Sequence, residues 1–182
     1  MERLSQMSLS APPESKKLDI DSLIAHLKNS DLGVRQNKLL RTDLTTTTRD
    51  IKKIFGDLGK SLGYDVAASG YAGALQGEFL YDMVWFVGGG VYEQILVLET
   101  ELFYRANEKS IEVDDDFLKI TQAKADVRVW VSFCANAEYV RRHLINCKNE
   151  VTNQRQSLPG EEYIFVVFNA ADRDVHIERW TV

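Results

Sequence analysis

Apolar positions recur along this chain in two rhythms, one of about 3.6 residues and one of two. Ile20, Leu23, Ile24 and Leu27 share a face between Asp19 and Asn29, which predicts a short helix. Ile51, Ile54, Phe55, Leu58 and Leu62 make a longer stripe through TRDIKKIFGDLGKSLG, with the Thr45–Thr48 run expected to supply its N-cap and Gly63 its left-handed end. A short strand is expected over Tyr64–Ala68, and longer ones over Phe79–Val87 and Tyr92–Leu102, with Gly88, Gly89 and Gly90 as a hairpin reversal. Asp114, Asp115 and Asp116 open a predicted helix whose Phe117, Ile120 and Ala123 face a core. Val127, Val129, Val131 and Phe133 alternate with Arg128, Trp130 and Ser132 in a further strand. Asn136 caps a long helix expected to reach about Gln156, with Val140, Leu144, Cys147 and Val151 as its stripe; Pro159 and Gly160 stop the chain there. Two final strands are expected, Tyr163–Phe168 and Val175–Thr181. This order implies an α/β fold, a mixed sheet with helices on its faces.

The anomaly lies inside the central apolar runs. Asp82 interrupts the first, and Glu99 and Glu101 close the second, among Met83, Val84, Trp85, Ile95, Leu96, Val97 and Leu98. Carboxylates are poor strand residues and are rarely buried without a partner. Glu99 and Glu101, two apart on a strand, project to one face about 6.8 Å apart, and a neighbouring strand lies about 4.8 Å away. In a hairpin of suitable register Asp82 therefore approaches them. Such a cluster suits Mg²⁺ or Mn²⁺, which take oxygen ligands and retain waters for substrate phosphate. Lys119, on the next helix, is the candidate cation beside it, with Gln122 one turn further on. Two plainer readings compete. The acids can be the solvated face of a half-exposed antiparallel sheet, and Lys119 can pair with Asp115 or Asp116 on its own helix.

Composition narrows the class. The chain has 182 residues, 45% hydrophobic and 27% charged, with a formal net charge of −5. One domain is expected over 18–182, after a polar tail at 1–17 expected to be disordered. Mild acidity argues against coating nucleic acid by charge alone, while leaving room for a local basic groove. Two cysteines, Cys134 and Cys147, form no metal-ligand pattern and are expected in the core. The three histidines are scattered, and no phosphate-loop, zinc-protease or EF-hand pattern is present. Without an apolar run long enough to span a bilayer or an N-terminal signal pattern, a cytoplasmic setting is expected and no membrane partner.

D-x₁₆-E-x-E on consecutive strands, with a helix before and a helix and strand after, resembles the PD-(D/E)XK restriction-endonuclease-like superfamily. The resemblance covers residues 47–133 and implies that family's αβββαβ core. It implies Asp82 and Glu99 as the two core acids and Asp50, less securely Asp57, as the upstream helix acid. The family's lysine position falls on Glu101. Some restriction endonucleases carry E-x-E there, and in other members the lysine has migrated to the following helix, here Lys119. Tyr81 stands where the family has proline. The implied activity is Mg²⁺- or Mn²⁺-dependent hydrolysis of phosphodiester bonds, with Asp82, Glu99 and Glu101 on the metal and Lys119 beside the reacting water. DNA is the first expected substrate and RNA the second, and a homodimer or partner protein could supply specificity. The alternative is a non-catalytic nucleic-acid- or protein-binding domain that keeps the nuclease fold.

Overall fold

The computed structural model describes residues 17–30, 32, 44–75, 80–88, 93–102, 113, 115–154 and 157–182. Residues 1–16 of the expected 1–17 tail, Phe79 and Tyr92 at the expected strand starts, Gly89 and Gly90 of the hairpin reversal, Asp114 and Gln156 lie outside them. Helix α1 (Ile20–Asn29) begins where Asp19 accepts the Ser22 N–H (3.0 Å) and hydroxyl (2.7 Å), bonds that hold the Asp19 carboxyl below its usual range. Helix α2 (Leu44–Ser61) starts earlier than the pattern suggested. Thr45–Thr48 lie inside it rather than capping it, and Thr47 is buried. The stripe is as expected, with Ile51, Phe55 and Leu58 buried. At its end Tyr64 N–H donates to the Gly59 carbonyl (2.9 Å) and Gly63 N–H to that of Lys60 (3.0 Å), with Gly63 at φ 85°. This paired arrangement needs the left-handed residue that glycine supplies.

Strands β1 (Asp65–Ala67), β2 (Met83–Val87) and β3 (Glu93–Glu101) form an antiparallel meander. Strand β2 is shorter than expected: Leu80, Tyr81 and Asp82 bend into it rather than belonging to it. After α3 (Asp115–Thr121), strand β4 (Val127–Cys134) pairs parallel to β3; after α4 (Ala137–Asn153), β5 (Glu162–Asn169) pairs parallel to β4. Strand β6 (Asp174–Thr181) returns antiparallel. The sheet order is β1-β2-β3-β4-β5-β6. Both parallel connections advance the same way, so right-handed crossovers put α3 and α4 on one face.

Residue parity sorts the two cores. Leu96, Leu98, Val129, Ile164 and Val166 pack with α1 and α2 through Leu23, Leu27, Ile51 and Phe55. Val97, Trp130, Phe165 and Val167 pack with α3 and α4 through Phe117, Ile120, Leu144 and Cys147. The register shift at Trp85/Phe86 leaves Ile95 as the extra residue, which joins the α1–α2 side. The side of β4 that carries Arg128, Trp130 and Ser132 is therefore buried as well. Arg128 is buried, donating to the Ala123 (2.6 Å) and Ala125 (3.1 Å) carbonyls and to Glu161 (2.9 Å). For the central strands β4 and β5 a half-exposed sheet is excluded, because side chains of both faces are buried under helices.

Gly59 sets how closely α2 lies on the sheet, and Gly56 how closely it lies on the loop after β1. A Cβ on Gly59 would come within 2.7 Å of the Trp85 ring, and one on Gly56 within 2.6 Å of the Tyr71 ring. Glycine costs helix stability, roughly 1 kcal/mol against alanine, and here the aromatic rings occupy the space a side chain would take.

Candidate functional site

The register brings Asp82 to β3. Met83 pairs with Leu98, so the residue before it reaches the level of Glu99 and Thr100. Its Oδ2 accepts the Thr100 backbone N–H (2.9 Å) and hydroxyl (2.6 Å). Its Oδ1 meets Lys52 Nζ at 2.8 Å. That lysine comes from α2, is 7% exposed, and also reaches Ser69 Oγ (3.5 Å). Asp82 is thus tied to the α2 side of the sheet.

Glu99 points the other way. It stands opposite Trp130 of β4, under α3, and its side chain is only 4% exposed. Lys119 Nζ lies 2.6 Å from Glu99 Oε1 and 3.1 Å from Asp116 Oδ1. The contact with Oε1 is a close, charge-assisted ion pair. Burial pushes the Glu99 carboxyl up to about 7; Lys119 pulls it back, while the charges of Asp82 and Asp116 add to the rise. Partial burial opposes the Lys119 charge, but Glu99 and Asp116 outweigh it and hold the ammonium above its usual range. The buried Tyr81 phenol is raised by its own burial and feels both Glu99 and Lys119.

The acids do not form one three-carboxylate group. Among the described residues, no three His, Cys, Asp or Glu side chains stand close enough to hold a metal ion. Glu101 is half-buried, two positions beyond Glu99 on the same face and opposite Ser132. The narrower set is Asp82 and Glu99, which feel each other's charge at the carboxyl end of β3. Two carboxylates suit Mg²⁺, which keeps waters and takes phosphate oxygens. Asp82 and Glu99 thus stand at the same level of the sheet but turn to opposite faces, and do not form the three-acid cage expected from spacing.

Of the supporting residues, Lys119 folds back onto Glu99 as the site requires. Gln122 is exposed just past α3, its N–H on the Lys119 carbonyl (3.3 Å). Asp50 lies about 200° around α2 from Lys52, on the side away from the cation that meets Asp82. Asp57 is exposed, pairing with Lys53 and accepting the Tyr71 hydroxyl (3.1 Å). The helix thus offers the site a lysine in place of the expected acid. Lys52 carries little signal in the sequence: it flanks the arc of Ile51, Phe55 and Leu58, about 60° beyond Phe55, and its burial there needs an anion. Thr100 carried no signal beyond its place between two glutamates. Cys134 and Cys147 are buried as expected, and burial pushes the Cys134 thiol up to about 12. No described helix is long and apolar enough to cross a membrane. No family model, no curated protein and no solved structure matches this chain.

Proposed function

We propose that this chain is a Mg²⁺- or Mn²⁺-dependent nuclease of the PD-(D/E)XK type that hydrolyses phosphodiester bonds of DNA. The observation that carries the reading is the Lys119 ammonium 2.6 Å from the buried Glu99 carboxylate, beside Asp82. A buried carboxylate with a perturbed pKa, a cation and a second acid at strand ends is the kind of cluster that functional sites maintain. The succession α2-β1-β2-β3-α3-β4 agrees with the core the resemblance implies. Asp82 and Glu99 would hold the ion, which supplies a polarised phosphoryl oxygen and an activated water. Lys119 stabilises the negative charge that develops on the phosphoryl group. Thr100 fixes the Asp82 carboxylate, and Lys52 balances its charge while the site is empty of substrate.

The test is cleavage of single- and double-stranded DNA, and of RNA, with Mg²⁺ or Mn²⁺. Glu99→Gln and Lys119→Met are each expected to lose about 100-fold or more in rate. Cleavage that survives Glu99→Gln, or that needs no divalent ion, sinks the proposal. A second reading draws on Asp82, both of whose oxygens are already engaged: a binding domain that keeps the fold without turnover. Calorimetry separates the two. Divalent binding lost in Asp82→Asn favours the nuclease, and none in the native chain favours the scaffold.

A further inference from the structure

The sheet has two edges, and they are finished differently. Strand β1 is three residues long, and Leu75 N–H already donates to its Val66 carbonyl (2.9 Å). Strand β6 runs for eight residues, pairs with β5 without a register shift, and contains neither proline nor glycine. No described residue pairs with its outer side. A long, regular, unpaired edge is a template for another strand.

We propose that β6 pairs antiparallel with β6 of a second copy of this chain, about a two-fold axis at Ile177. The argument for a second copy is self-complementarity. His176, Glu178 and Trp180 stand on the α4 side, where Lys148 pairs with Glu178 and Trp180 packs on Tyr163 with ring centroids 5.7 Å apart. Val175, Ile177 and Arg179 stand on the α1 side, where Arg179 Nη1 meets Asp21 Oδ1 at 2.9 Å. A two-fold axis perpendicular to the sheet keeps each face on its own side, so only same-face residues oppose one another. Centred on His176, the pairing sets Asp174 against Glu178. Centred on Glu178 or Arg179, it sets like charge against like. Centred on Ile177, His176 of each copy opposes Glu178 of the other, Val175 opposes Arg179, and Asp174 opposes Trp180. That register alone, among those pairing most of the strand, opposes no like charges, and it sets the His176 imidazole within reach of the Glu178 carboxylate of the other copy.

The full chain is expected to sediment as a dimer, and Ile177→Cys to form an intermolecular disulfide on mild oxidation. Directly opposed antiparallel residues lie about 4.5–5.5 Å apart at Cα, within disulfide reach. The native Cys134 and Cys147 are buried and leave the new thiol to report. Thr181→Cys, which has no like partner in this register, should cross-link far more slowly. His176→Glu is expected to weaken the dimer about tenfold, and adding Glu178→His to restore it. A monomer at about 100 μM, equal cross-linking at 177 and 181, or a double variant as weak as His176→Glu overturns the proposal. So does a chain that dimerises only after residues 1–16 are removed, since those residues would then own the edge.

Discussion

Glu99 titrates in the wrong direction for an ordinary ion-paired carboxylate. Its folded pKa, about 7, lies above the ordinary 4.5. Between those values the folded chain binds more protons than the unfolded one, so stability falls as pH rises through that window. The group's unfavourable contribution is absent below about pH 4.5 and complete above about pH 7. Glu99→Gln should therefore melt higher than the native chain at pH 8, by on the order of 1–3 kcal/mol, with the gain vanishing near pH 5. Lys119 tolerates the change, being 31% exposed and retaining Asp116. An equal difference at both pH values would show that burial is not what raises Glu99. A divalent ion needs the ionised form, so Mg²⁺ affinity should rise about tenfold per pH unit below 7 and level off above it. Glu99, Asp82 and Lys119 were legible in the sequence because charge in an apolar run demands a partner. The partner of Asp82 was not. The sequence alone did not resolve which way Asp82 turns, and it turns to Lys52 and Thr100 rather than to Glu101.

Helix α2 shows what periodicity can and cannot say. Its stripe is readable, but the sequence singles out Asp50 on one flank and not Lys52 on the other, and it is Lys52 that meets Asp82. The start was misread for a related reason: β-branched threonines favour caps and strands locally, and packing of the buried Thr47 overrides that preference. Strand β2 was overextended because Leu80 and Tyr81 continue its apolar run; Tyr81 is buried by the α3–α4 core without pairing, while Leu80 is exposed. By contrast β4 and α4 came out nearly whole, with Asn136 accepting the Tyr139 N–H (3.0 Å) as a cap. Propensity and packing also disagree at Gly59. Alanine there should gain roughly 1 kcal/mol of helix propensity, but its Cβ would meet the Trp85 ring at 2.7 Å. Gly59→Ala is expected to lose about 1–3 kcal/mol overall, read by thermal or urea unfolding. Lys52 lies two turns upstream, so lifting α2 should also loosen its hold on Asp82. A stabilised Gly59→Ala protein would contradict the close seating of helix on sheet.

Across the whole molecule, protection should follow the sheet from its centre outward. Strands β4 and β5 are buried on both faces, whereas α1 lies at the β6 end, tied there in part by the Arg179–Asp21 pair. Hydrogen exchange is expected to open α1 first and Val129–Val131 with Ile164–Val167 last; simultaneous exchange would mean that α1 is part of the same cooperative unit. The candidate site sits where this order matters. Asp82 is neutralised from the α1–α2 layer and Glu99 from the α3–α4 layer. An ion that drew both acids together at the end of β3 would fasten the one layer to the other. Its signature would be global: at about 100 times its dissociation constant it adds about 2.7 kcal/mol to unfolding of the entire domain, slowing exchange in α2 and α3 together although neither helix touches the other's acid.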